Sequence, residues 1–160
     1  MLYLVLKLLH VLAVAMFLGN ITTGLFWKVH AERSGDPRLI AHAFDGIMSS
    51  DRWFTIPGVI VIVATGVANA ALGGFPLLRT GWIAWSLVLF TVSGLAFMFR
   101  VVPLQRAIAE LAHAATSAGA FDRERYRVLS RAWEFWGGIA LAAPLLAAVL
   151  MVLKPVLPAL

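Results

Sequence analysis

The sequence predicts an all-α fold: an integral membrane four-helix bundle with cytoplasmic helical extensions and a short interfacial helix. Three observations predict it. The 160 residues are 61% hydrophobic and 13% charged, with a mean hydropathy of +0.89, whereas soluble domains run about 45–50% apolar and about 25% charged. Four apolar runs each approach or exceed the roughly 20 residues that cross a bilayer. Basic residues gather in two of the connecting segments. This composition excludes a soluble globular domain. It also excludes a disordered chain, which needs low hydrophobicity and high charge. Cysteine is absent, which removes disulfides, thiolate metal sites, iron–sulfur clusters and thiol nucleophiles.

The expected spans are residues 2–27, 53–75, 82–102 and 132–154, in a single transmembrane domain. Lys7 and His10 interrupt the first. Its Ala13-Val14-Ala15 has the small-x-small form of a cleavage site, but apolar residues continue to Trp27 and no basic segment precedes them, so an uncleaved span is expected. Gly35-Asp36-Pro37 is a turn signal. Arg38–Met48 reads as a short interfacial helix with Leu39, Phe44 and Ile47 toward the lipid surface. Asp51 or Thr55 is the expected cap of the second span, with Pro57 near its first turn. The third span is expected to continue past a kink at Pro103 into an alanine-rich helix. Ser117-Ala118-Gly119-Ala120 is the expected turn. Asp122 then caps a returning helix that runs into the fourth span, which Lys154-Pro155 stops.

The loops set the expected orientation. Lys28, Arg33, Arg38, Arg52, Arg100, Arg106, Arg123, Arg125, Arg127 and Arg131 flank the two long loops, while the other face has only Lys7, Arg79 and Lys154. The long loops are therefore expected to be cytoplasmic, with both termini periplasmic or extracellular. Trp27, Trp53, Trp133 and Trp136 are expected at the inner membrane boundary, and Trp82 and Trp85 at the outer one.

Polar groups within spans carry functional weight, because hydrocarbon offers them nothing. His10 is the clearest. It lies roughly 12 Å along the helix from Leu2 at about 1.5 Å per residue, and unlike Lys7 it is too short to snorkel to the surface. It needs a partner, and depth counting suggests Asn69 or Ser86. Gly66, Asn69 and Gly73 share one face whose small residues permit close helix approach, within a subunit or in a homodimer. One reading is that His10 simply locks the bundle. The other is a ligand role: an imidazole on a haem iron, with the propionates on Lys7, Arg79 or Lys154, which otherwise are ordinary snorkelling anchors. His30, His42 and His113 belong to the opposite side, so no second axial histidine is expected; Met151 lies closer. Glu134 and Arg100 are expected to pair. His30, His42, Asp45 and Asp51 match no zinc template. No serine triad, phosphate loop or nucleic-acid surface is read.

Leu6-Lys7-Leu8-Leu9-His10-Val11-Leu12-Ala13-Val14, followed by Gly19, resembles the first helix of the group containing the membrane protoporphyrinogen oxidase HemJ and the copper-resistance protein CopD. Tyr126-Arg127-Val128-Leu129-Ser130-Arg131 and the closing Met151-Val152-Leu153-Lys154-Pro155 are similar to that group's final span. Over its full length the chain most resembles a related bacterial family of four-span integral membrane proteins of unknown function, with Asp51-Arg52-Trp53-Phe54-Thr55-Ile56-Pro57-Gly58 and Thr65-Gly66 matching the second span. The resemblance implies haem b on His10 and an electron-transfer or haem-dependent redox role. It also implies a lysine in the third span, where this chain has none; Arg100 is the nearest basic residue. Copper or small-solute transport of the CopD kind is the alternative, although Met16, Met98 and Met151 are few for it.

Overall fold

A computed structural model describes residues 1–118 and 120–159. Among them every regular element is helical. Helix α1 is Leu2–Ser34, α2 Pro37–Ser50, α3 Ile56–Leu72, α4 Gly81–Ala96, α5 Val102–Ala118 and α6 Arg123–Leu153. π-helical turns at Asp51–Thr55 and Phe97–Val101 join α2 to α3 and α4 to α5 without a break. The result is four antiparallel rods, each long and apolar enough to cross a membrane. At about 1.5 Å per residue they exceed the roughly 30 Å of bilayer hydrocarbon. Both termini and the 73–80 turn lie at one end, and the two other connections at the opposite, loop end.

Local chemistry explains the boundaries. α1 stops where Gly35 takes φ +67°, its N–H donating to Glu32 O. Asp36 Oδ1 then accepts the Arg38 N–H at 2.8 Å, and Pro37 opens α2. Asp122 Oδ1 accepts the Arg125 N–H at 2.9 Å and caps α6 as expected. Of the expected 117–120 turn, Ser117 and Ala118 instead end α5, and Gly119 lies outside the described residues.

Each π turn ends two residues before a proline, Pro57 or Pro103. A proline ring crowds the carbonyl four residues back and offers it no N–H. The wider turn, with Ile56 N–H reaching Asp51 O and Val102 N–H reaching Phe97 O, absorbs the mismatch. Asp51 and Thr55 both keep helical dihedrals, and neither side chain accepts a backbone N–H of the span, so neither is the expected side-chain cap.

The lipid-facing side expected of Arg38–Met48 is corrected for Phe44 and Ile47, while Leu39 stays exposed. α2 packs on α5, burying Ile40, Ala41 and Phe44 in a core with Ile108, Ala109 and Ala112, while the buried Ile47 lies against Gly24 of α1. Phe44 is only 1% exposed, so it faces protein rather than lipid. An amphipathic stripe specifies an apolar neighbour, and a second helix supplied it. Trp133 also leaves the expected aromatic belt: it is buried edge-to-face against Phe44 at 5.6 Å, whereas Trp27 and Trp53 remain exposed.

The stretch between the π turns and the termini is packed differently. Leu4, Leu8, Ile60, Leu95 and Leu146 stay exposed around it, as a lipid-facing surface requires. Its helices meet through small residues, Ala84, Ser86, Ser93 and Ala96 of α4 against Ala140, Ala143 and Ala147 of α6. Pro144 sits inside α6 and deprives the Ala140 carbonyl of its helical N–H. Ser93 Oγ of α4 donates to that same oxygen at 2.6 Å. The proline thus creates an acceptor that ties two helices together.

Ser93→Ala should destabilise the protein by about 1–3 kcal/mol, the cost of an unsatisfied buried carbonyl. Adding Pro144→Ala restores a helical N–H and should recover most of that loss. Detergent melting curves of the single and double variants measure both; a double variant no better than Ser93→Ala would contradict the assignment.

Candidate functional site

Three polar centres interrupt the apolar interior. The first is His10, on the face of α1 that meets α3. Its Nδ1 lies 3.0 Å from Ile62 O and 3.1 Å from Thr65 Oγ1. A carbonyl only accepts, so Nδ1 carries the proton and Nε2 presents a lone pair. Thr65 Oγ1 donates onward to Val61 O at 2.5 Å and so remains an acceptor toward His10. Gly66 lets the ring approach: a Cβ there would stand 3.1 Å from His10 Cε1.

The other residues expected around His10 are placed differently. Asn69 lies one turn beyond Thr65 on α3, but its Oδ1 is buried without a partner. Ser86 Oγ donates within its own helix to Trp82 O at 2.7 Å and lies 3.3 Å from Ala147 O of α6. The partner of His10 is therefore Ile62–Thr65 rather than Asn69 or Ser86. Depth counting found the right helix and missed by one turn, because it cannot assign rotation about an axis. Lys7, Arg79 and Lys154 are exposed; Lys154 Nζ stands 5.4 Å over the Trp82 ring.

The second centre is a buried carboxylate at the π turn between α2 and α3. Asp51 Oδ1 accepts from Asn20 Nδ2 at 3.3 Å and Thr55 Oγ1 at 2.8 Å, and Oδ2 accepts from Gln105 Nε2 at 3.0 Å. Asn20 Nδ2 also donates to Thr55 Oγ1 at 2.9 Å. α1, the π turn and α5 thus converge on one acid. Beside it is a cavity of about 90 Å³ whose walls are mostly apolar, with Ile21, Leu25, Ile47, Phe97, Trp133 and Leu141 among the residues that border it beside Asn20, Asp51, Gln105 and Glu134.

The third is Lys28 of α1. Its side chain has no exposed surface, and Nζ donates to Glu32 at 2.6 Å and to Glu134 of α6. Ser130 Oγ donates to the other Glu32 oxygen at 3.2 Å. The expected Glu134–Arg100 pair does not form: Arg100 lies 5.1 Å over the Trp136 ring. Lys28 was counted as a loop charge because α1 was expected to end at Trp27; it continues to Ser34.

Away from these centres, His30 stacks on Phe26, and His113 Nε2 pairs with Asp45 at 2.9 Å. Among the described residues no group of three or more histidines or acids is arranged to hold a metal ion. Sequence reading missed the Asp51 network and the Lys28 pair. One signal was available: Asn20, Thr55 and Gln105 are polar residues beside or within apolar runs.

One family matches the chain, over residues 4–155, and its description is "Predicted integral membrane protein (DUF2269)". No curated protein matches it. No solved structure does either.

The Lys28 centre should be asymmetric. Glu32 and Glu134 are 38% and 45% exposed, so each can rehydrate once unpaired. Lys28→Met should cost only about 1 kcal/mol. Replacing both acids, Glu32→Leu with Glu134→Leu, strands a buried ammonium and should cost about 3–5 kcal/mol. Equal losses in thermal melts would contradict this geometry.

Proposed function

The chain belongs to the integral membrane family DUF2269, and we propose that it binds haem b through His10 in an electron-transfer or haem-dependent redox role. One observation carries the reading: His10 Nδ1 donates to the Ile62 carbonyl. Metal-bound histidines characteristically donate their second ring N–H to a carbonyl or carboxylate, which fixes the tautomer and orients the free nitrogen. The donor chemistry of His10 therefore fits an axial ligand. Thr65 and Gly66 act as positioning residues, the first by a hydrogen bond and the second by leaving room for the ring.

The remaining roles follow from charge and availability. Lys7, one turn before His10, is the nearest cation on α1, and Arg79 and Lys154 occupy the same end. These three would bind propionates. Asn69, with an unsatisfied oxygen on α3, is the spare polar group nearest to Thr65. Ser86 is spent on Trp82 and Ala147 and would contribute only packing. A bound haem supplies one-electron chemistry that a cysteine-free chain otherwise lacks. The cavities beside Asp51 and beside Phe17 and Phe90 border residues other than His10, and the macrocycle would rest on the outer surface of the bundle, against lipid or a second copy of the chain.

We orient the loop end toward the cytoplasm of a bacterial inner membrane. With the buried Lys28 set aside, that end carries Arg33, Arg38, Arg52, Arg100, Arg106, Arg123, Arg125, Arg127 and Arg131 against three basic residues at the terminal end.

Protein expressed with ample haem should purify with a Soret band that His10→Ala abolishes while the melting profile is retained. Gly66→Val should weaken the band by crowding the ring. No band in the parent protein counts against haem and leaves the packing role, in which His10 only joins α1 to α3. Copper accumulation by expressing cells, without a band, would favour transport of the CopD kind.

A further inference from the structure

A second site lies in the seam between α1 and α6, and it is independent of His10. The membrane-spanning helices form two close pairs, α1 with α3 and α4 with α6. Among the described residues the backbones of α3 and α4 do not approach each other; α1 meets α6 instead, and Phe17 meets Phe90 with ring centroids 5.8 Å apart. The cavity beside Asp51 opens in this seam. Gly137 and Gly138 of α6 border it, and a Cβ added to either meets nothing within 4 Å. Leu25 and Gly138 border it and are exposed. Both fall within the residue ranges of the expected spans, which turns the mouth toward hydrocarbon rather than water. A ligand of this cavity therefore arrives from the membrane.

The walls select its chemistry. They are mostly apolar, so a charged ligand would lose its hydration without an equivalent return. An apolar lining with a few placed polar groups is the usual make-up of a small-molecule site. Here those groups sit at one end. Asn20 Nδ2 donates to Asp51 at 3.3 Å and to Thr55 at 2.9 Å, and Gln105 Nε2 donates to Asp51 at 3.0 Å. The amide oxygens of Asn20 and Gln105 accept no hydrogen bond among the described residues. Gln105 is only 3% exposed, yet its Oε1 is not sealed in by protein atoms, and the open space that Gln105 borders is this cavity. An amide oxygen is an acceptor only, so it calls for a ligand that donates. Phe97 and Trp133 offer aromatic surface to a ring. A neighbouring cavity of about 50 Å³ shares Ile21, Phe97 and Ala140 with the first. The two approach the roughly 150 Å³ of an apolar cavity that takes up benzene.

We propose that this seam binds a membrane-dissolved phenol or hydroquinone. The ring occupies the cavity, a ring hydroxyl donates to Gln105 Oε1, and an aliphatic tail leaves past Gly138 into lipid. The ligand is neutral, and it makes no demand on Asp51, whose oxygens are already held by Asn20, Thr55 and Gln105.

The test compares melting of the detergent-purified full chain with para-hexylphenol and with para-hexylanisole, the methyl ether that keeps ring and tail but has no O–H. Binding to the folded state raises the folded-to-unfolded ratio about a hundredfold at one hundred times Kd. The expected result is a saturable rise in Tm with the phenol that the ether does not give, lost in Gln105→Leu. If Gln105→Leu does not fold, the double variant Gly137→Leu with Gly138→Leu fills the mouth while leaving every hydrogen-bonding side chain in place, and it must abolish the same rise. No rise with the phenol, an equal rise with the ether, or a rise that either folded variant retains would overturn the proposal.

Discussion

Hydrocarbon provides no hydrogen-bond partner, so every polar group carried into the spans must be answered by another part of the chain. That constraint organises this bundle. From the terminal end to the loop end, its helices are tied by one polar contact after another. Ser86 and Ser93 of α4 reach carbonyls of α6. His10 joins α1 to α3. Asn20, Asp51 and Gln105 join α1, the first π turn and α5. Lys28 joins α1 to α6. Apolar packing alone discriminates weakly between helix pairings in lipid, because acyl chains are as apolar as leucine. These contacts fix which helix meets which, and in what rotation.

The molecule has two solvents and two styles of packing. Toward the termini, aliphatic side chains face outward and helices touch through alanine, serine and glycine. Toward the loops, Ile40, Phe44, Ile108, Tyr126 and Trp133 build a core like that of a soluble protein. The two π turns mark the passage between these halves, and the buried Asp51 sits there.

Much of this was legible in the sequence. Composition and four apolar runs give the fold class, Gly35-Asp36-Pro37 gives a turn, and Asp122 gives a cap. The continuity of α2 with α3 was not legible, since Pro57 reads as a helix start unless a π turn is foreseen. Phe44 was misplaced for a different reason: lipid and protein both satisfy an apolar stripe, and one sequence does not choose between them. His10 was recognisable as a group needing a partner, because its depth follows from counting residues. The identity of that partner depended on rotation of α3, which counting leaves open. Lys28 looked like a loop charge because α1 was expected to end at Trp27, and Asp51 read as a helix cap because a span was expected to start there; the helices continue through both.

The functional reading rests on the proton of one imidazole. Nitrogen-15 NMR of the cofactor-free protein, labelled at histidine and reconstituted in lipid nanodiscs, reports which ring nitrogen of His10 holds it. The account predicts protonated Nδ1, bonded to the Ile62 carbonyl, and bare Nε2. A proton on Nε2 would contradict it, for the nitrogen meant to bind iron would already be occupied.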